Sequence, residues 1–413
     1  MTSSLLVRNA QVLDVEKGTY VEADVLCVDG RVAEVGPGLR PPAGVPVHDA
    51  RGAHVLPGLV DCHVHVVAVT GNLTEVAGLP PSYVTAGAVQ RMGTMLDHGF
   101  TTVRDTGGGD YGLARAWARG LVRGPRLVYG GKGLSQTGGH GDKRPVEANE
   151  IVPPHCCSGT GRVADGVDEV RRAAREELRR GAHHIKVHVS GGVSSLGDRI
   201  DSTQYSREEI RAAVEEAEAA GRYVTVHAYP AAAINRALEA GVRCVEHGNL
   251  LDDTTVDLFL ERDAFLVPTL VTYSALKDEG REHGLPQESW EKVDEVLTGG
   301  LGALDRAAAA GVRIAFGTDL LGGMLRHQNA EFRIRAEVQR PIDVIRSATT
   351  TAAELLGMVG EIGTLAPGAH ADLVVLEGDP LADIEMLADP RNIRTVVQAG
   401  RPVRAAAGAG GRR

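Results

Sequence analysis

The sequence has 5 Phe, 8 Tyr and 2 Trp in 413 residues, so aromatic side chains are scarce. Cysteine is scarce as well. The five residues, Cys27, Cys62, Cys156, Cys157 and Cys244, are odd in number and contain no Cys-x-x-Cys pair. That argues against a disulfide framework and fits a reduced, cytoplasmic compartment. No run of 18 apolar residues is present, so no membrane span is expected. The first residues, MTSSLLVRNAQVLDV, lack the charged and apolar regions of a signal peptide. Basic residues are scattered and the net charge is −10, which sets nucleic acid aside as a partner. Glycine, by contrast, is abundant. The 52 Gly are about 13% of the chain against a usual ~7%, so many tight turns are needed. Fifteen His are the other feature to place.

Residues 1–54 read as short β-strands broken by Gly, Pro and Asp, and 362–403 read the same way. Two β-rich ends suggest one small β-domain built from 1–57 and 362–413, with a flexible tail from 405. Between them, eight apolar runs alternate with helical segments: 55–65, 100–107, 126–133, 184–192, 223–229, 243–249, 264–270 and 313–319. The clearest helix is 206–221. Ser206 and Glu209 form a capping box, Ile210, Ala213, Val214 and Ala217 repeat at helical spacing, and Gly221 ends it. Eight β-α units predict an α/β chain with a (β/α)8 TIM barrel over 58–361, carrying a small β-sandwich domain made from both ends. A doubly wound open sheet is the alternative.

Ionisable residues gather at the strand ends, where a TIM barrel keeps its active site. His63 and His65 share one strand face because they are two apart. Lys186 lies in the fourth strand, His227 ends the fifth, His247 the sixth, and Asp319 the eighth. Singly, each has an ordinary structural explanation: a packed His, a snorkelling Lys, an Asp cap. Together, four His and one Asp suit zinc and similar divalent metals.

The run LPGLVDCHVH and the tail GTLAPGAHADLVVLEGDP resemble the amidohydrolase superfamily across essentially the whole chain. More narrowly, IKVHVSGGVSS, VHAYPAAAINRALEAGVRCVEHGN and AFGTDLLGG resemble its peptidase M38 / imidazolonepropionase-like subgroup, which holds prolidase-type dipeptidases and ochratoxinase-like amidases. The resemblance implies two divalent metals, Zn foremost. His63 and His65 hold the more buried one and His227 and His247 the more exposed one, with Lys186, carboxylated by CO₂, bridging them. Asp319 binds the first metal and shuttles the proton. A metal-bridging hydroxide attacks an amide or peptide bond in a small N-acyl amino acid or dipeptide. A deprotonated Lys that has captured CO₂ carries the negative charge and two oxygens such a bridge needs. By the same resemblance His140 and Tyr229 donate to the oxyanion, and the protein is a homo-oligomer.

His188, two residues beyond Lys186, faces the same mouth. Arg326 and His327 are candidates for a substrate carboxylate, with a surface loop pair as the plainer reading. The loop carrying Cys156, Cys157 and His155 has poor geometry for a metal. The stretch 170–181 reads as a solvated helix face. Segments 134–161 and 271–290 are expected to form part of a lid. Three other functions stay open: an imidazolonepropionase-like cyclic amidase (one metal, no bridging Lys), a phosphotriesterase or lactonase, and a non-catalytic structural relative, a class that usually loses the ligands present in this sequence.

Overall fold

The computed structural model describes residues 3–144, 158–195 and 197–405, so His155, Cys156, Cys157 and the tail beyond 405 lie outside the described residues. The chain divides into two compact units. One comprises Met1–Asp61, Gly93–Thr102 and Phe332–Arg413, the other Cys62–Met92 and Val103–Glu331.

The first unit holds an eight-stranded sheet drawn from both chain ends. Its order is Arg401–Ala405, Ile393–Gln398, Leu373–Leu376, His54–Pro57, Leu5–Asp14, Thr19–Val28, Arg31–Gly36, and Val47–Asp49 pairs alongside Leu5–Asp14. The reason is visible in the side chains. Leu5, Val7 and Val12, Ala23, Val25 and Cys27, and Leu373 and Val375 alternate along their strands and meet in one buried cluster. The alternation breaks once, between Val7 and Ala10, where Asn9 adopts φ 56° and the register shifts. The expected first barrel strand is in fact two. His54–Pro57 belongs to this sheet, and Leu59–Val64 starts anew after Gly58. A Cβ on Gly58 would sit 2.2 Å from the Thr101 hydroxyl, so only glycine allows that passage.

The second unit is α/β with parallel strands. A seven-stranded sheet runs Gly161–Val163, Gly133–Ser135, Ile185–His188, Val224–Pro230, Cys244–Leu250, Phe265–Val267, Arg313–Ile314, and all its pairings are parallel. A further sheet orders Leu59–Val64, Phe100–Asp105 and Arg126–Tyr129. Backbone bonds reach between the two sheets: Cys62 N–H donates to Phe316 C=O at 2.7 Å, and His183 N–H to Tyr129 C=O at 2.8 Å. The helix expected at 206–221 is Arg207–Ala219, with both halves of the Ser206–Glu209 capping box formed. The charged stretch 170–181 lies mostly on helix Gly166–Arg179, where Arg171 and Arg175 pair with Glu215 and Glu216 of that neighbouring helix. Its face is not wholly solvated, because Glu177 is buried. Among the described residues no helix is long and apolar enough to cross a membrane.

Candidate active site

His63 is the penultimate residue of strand Leu59–Val64, and His65 follows its end. Both rings are anchored through Nδ1. His63 Nδ1 lies 2.7 Å from Glu246 Oε2, and His65 Nδ1 lies 2.8 Å from the Gly107 carbonyl. A carbonyl and a carboxylate accept, so each Nδ1 carries the proton and each Nε2 offers a lone pair. Those Nε2 atoms lie 3.5 and 3.3 Å from Asp319 Oδ1. One donor atom from each of the three residues falls within 4.8 Å of the others, close enough to share one cation. Burial opposes ionisation of Asp319, but the imidazoles of His63 and His65 outweigh it and hold the carboxyl below its usual range.

His247, on Cys244–Leu250, and His227, on Val224–Pro230, bring their rings to 4.6 Å of each other. His247 Nδ1 contacts Thr269 Oγ1 at 2.7 Å and the Tyr273 hydroxyl at 3.0 Å, leaving Nε2 free to ligate. His227 is reversed. Its Nε2 donates to the Gly191 carbonyl at 3.0 Å, so its lone pair is on Nδ1. His247 and Asp319 both sit in the left-handed region, at φ 72° and 52°. A bulky residue held there marks a position where side-chain direction outweighs backbone ease.

Lys186 projects from Ile185–His188 and is 2% exposed. Its Nζ has no hydrogen-bond partner among the described residues. Burial pushes its ammonium down to about 8 despite nearby Glu246, and Arg104 adds repulsion. This buried amine without a hydrogen-bond partner shares its cavity with four imidazoles and a carboxylate, donor types that suit divalent metals.

His63, His65, Lys186, His227, His247 and Asp319 line one cavity, together with His140, His188 and Tyr229. His188 Nδ1 is tied to the Leu134 carbonyl at 3.0 Å. His140 stacks on His227 with centroids 4.1 Å apart. Tyr229 accepts from the Tyr273 hydroxyl at 3.1 Å, which frees its own O–H to donate. Arg326 and His327 do not join them. Arg326 Nη2 lies 2.5 Å and His327 Nε2 3.0 Å from the two oxygens of Glu279, and neither lines the cavity. Both therefore face Glu279 rather than the cavity lining.

Three residues escaped sequence reasoning. Glu246 and Arg104 form a fully buried pair behind His63, with Arg104 Nη2 2.6 Å from Glu246 Oε1. Lys143 lines the cavity with Nζ 3.4 Å from Ser194 O and Oγ. Burial pushes its ammonium down to about 8. The only sequence signal was a charged residue inside each of two apolar strands, Arg104 and Glu246.

The amidohydrolase family model matches residues 54–403. The ochratoxinase of Aspergillus niger is 34% identical over 360 residues, covering 84% of this chain and 75% of its own. A prolidase solved in complex with N-methylphosphonate-L-proline aligns with TM-score 0.95 and 47% identity, over 97% of this chain and 100% of that one. A Xaa-Pro dipeptidase with bound methionine aligns with TM-score 0.87 and 28% identity, again over 97% and 100%. With these likenesses over nearly its full length, the chain belongs to the amidohydrolase family, among prolidase- and ochratoxinase-like members, and is a hydrolase of C–N bonds.

Proposed function

We propose that the protein hydrolyses the amide bond of a small N-acyl amino acid or dipeptide at two divalent metals, zinc foremost. His63, His65 and Asp319 would hold one, His227 and His247 the other, and carboxylated Lys186 would be shared. The observation that carries this reading is the unpartnered Lys186 Nζ among imidazoles whose remote nitrogens are already tied. The second unit is read as a closed (β/α)8 barrel and the eight-stranded sheet as the small β-domain. The backbone bonds from Cys62 to Phe316 and from His183 to Tyr129 support closure.

Divalent metals there supply a Lewis acid for the scissile carbonyl and lower the pKa of water. The chain's own groups do the rest. Asp319, beside both His63 and His65, takes a proton from water and passes it to the leaving amine. Tyr229 turns its free O–H toward the substrate, held by Tyr273. Lys143, in place of Arg326 and His327, meets the substrate carboxylate. Hydrogen bonds to charged groups contribute about 1.5–3 kcal/mol, so Lys143→Met should raise KM roughly 10- to 100-fold for substrates with a free carboxylate. The same change should leave a carboxamide-capped substrate within a few-fold. Equal losses on both substrates would remove Lys143 from this role.

A hydrolysis panel on zinc-loaded protein tests the whole reading. It includes Xaa-Pro and other dipeptides, N-acyl amino acids, an aryl amide of phenylalanine, a lactone and an organophosphate. Amide cleavage should disappear on chelation and return with zinc, at two metals per chain. Turnover of the phosphotriester with no amide cleaved would overturn the proposal.

A further inference from the structure

His140 lies on the loop after Gly133–Ser135, and its side chain is buried. The ring is packed between His227 and the backbone of Gly192, where a Cβ would sit 2.1 Å from His140 Cε1. Its Nδ1 lies 2.7 Å from Ser195 Oγ. Ser195 Oγ in turn lies 2.5 Å from Asp198 Oδ1 and 3.1 Å from the Gly192 carbonyl. Asp198 faces Lys292, 3.6 Å away, and accepts from Gln204 Nε2 at 3.1 Å. Gln204 cannot present its oxygen there, because Oε1 accepts the His140 backbone N–H at 2.8 Å. His140, Ser195, Asp198 and Gln204 are all buried.

The hydrogens can be counted along this chain. Asp198 carboxylate and the Gly192 carbonyl only accept, and Ser195 has one hydroxyl proton to give. That proton goes toward Asp198 or Gly192, so Ser195 must accept from His140, and the imidazole proton is on Nδ1. His140 Nε2 then carries the lone pair, facing the Ser194 hydroxyl 3.5 Å away in the cavity lining. A third group that fixes the tautomer of an imidazole is part of the logic of a catalytic triad.

We propose that Asp198 is a positioning residue acting on His140 through Ser195. The relay sets His140 Nε2 as the nitrogen that accepts a hydrogen bond from the substrate side. The inference rests on the hydrolase reading of the cavity, and its tests separate the two.

Nitrogen NMR of ring-labelled histidine in the zinc-loaded protein, with His140→Gln for assignment, reads the tautomer without any turnover. Protonated Nδ1 and bare Nε2 are expected; the reverse overturns the relay. A double-mutant cycle then asks whether Ser195 acts through His140. Ser195→Ala should lower kcat roughly 10- to 100-fold with little change in KM, and Ser195→Thr should restore most of it. In a His140→Gln background Ser195→Ala should cost nothing further. An undiminished loss there, or a failure of threonine to rescue with metal content intact, overturns the relay. If the wild-type protein cleaves no amide, the hydrolase reading fails, and the tautomer still decides the relay.

Discussion

Lys186→Ala should abolish hydrolysis, by about a thousandfold or more, and reduce bound metal from two per chain to one at most. The size follows from what is lost together. Nζ lines the cavity of the His63–His65–Asp319 and His227–His247 sets, buried and without a hydrogen-bond partner among the described residues. Four imidazoles and one carboxylate cannot offset two divalent cations at close range, and the missing negative charge is what a carbamate would add. Removing it forfeits the charge balance and, with it, proton transfer at a positioned water, which alone is of the order of 10²–10⁴ in rate. Carbamate formation joins the free amine to CO₂ with release of one proton, so metal reconstitution of the wild-type apoprotein should need bicarbonate. Lys186→Arg should fare no better than alanine, because guanidinium keeps its proton. A short carboxylic acid should rescue the alanine variant in part, by entering the space the side chain leaves. Metal analysis decides the matter. Two zinc per chain in Lys186→Ala would discard the bridge.

The fate of individual residues shows how much of this site could be read from sequence. The pairing of His63 with His65 was legible because a strand puts alternate residues on one face, and the strand end puts them at the mouth. The helix Arg207–Ala219 was legible because its cap and its apolar spacing agree. Glu246 was hidden by the same alternation rule that revealed His63. Its neighbour His247 is the obvious ligand, and a regular strand would turn the two to opposite faces. The left-handed φ of 72° at His247 breaks that rule and lets both serve one site. Arg326 and His327 show a different limit. Their place after the last strand was right, but Glu279, 47 and 48 residues away, captures both. Lys143 reads in sequence as one of three adjacent charges in a polar loop, and only the tertiary fold brings it, half-buried, against Ser194. Spacing reports local geometry; long-range electrostatic partners leave no local trace.

Arg104→Met should destabilise the protein by about 3–5 kcal/mol, the largest stability loss expected of any single change near the site. Arg104 and Glu246 are both 0% exposed, and nothing from solvent can replace either charge. Arg104 Nε donates to the Cys62 carbonyl at 2.5 Å, Nη2 reaches Glu246 at 2.6 Å, and Glu246 also accepts from Thr225. Burial would raise the Glu246 carboxyl, but Arg104 and Lys186 hold it well below the usual carboxylate range. With Arg104 gone, that carboxylate keeps its cost of burial and loses its main compensation. Glu246 has a second task, as the acceptor that holds His63 Nδ1 at 2.7 Å. The two tasks can be separated by comparing single and double variants. Arg104→Met with Glu246→Leu removes both charges, and apolar replacement of a buried pair is often close to neutral, so stability should largely return. Zinc affinity should not return with it. Losing the partner of a ligating imidazole typically costs 10- to 100-fold in metal affinity, and His63 would still lack its anchor. Chemical denaturation and competitive zinc titration on the same three proteins measure the two effects. A double variant as unstable as Arg104→Met would refute the account of the pair as an isolated buried couple. One that binds zinc as tightly as wild type would refute the role of Glu246 in orienting His63.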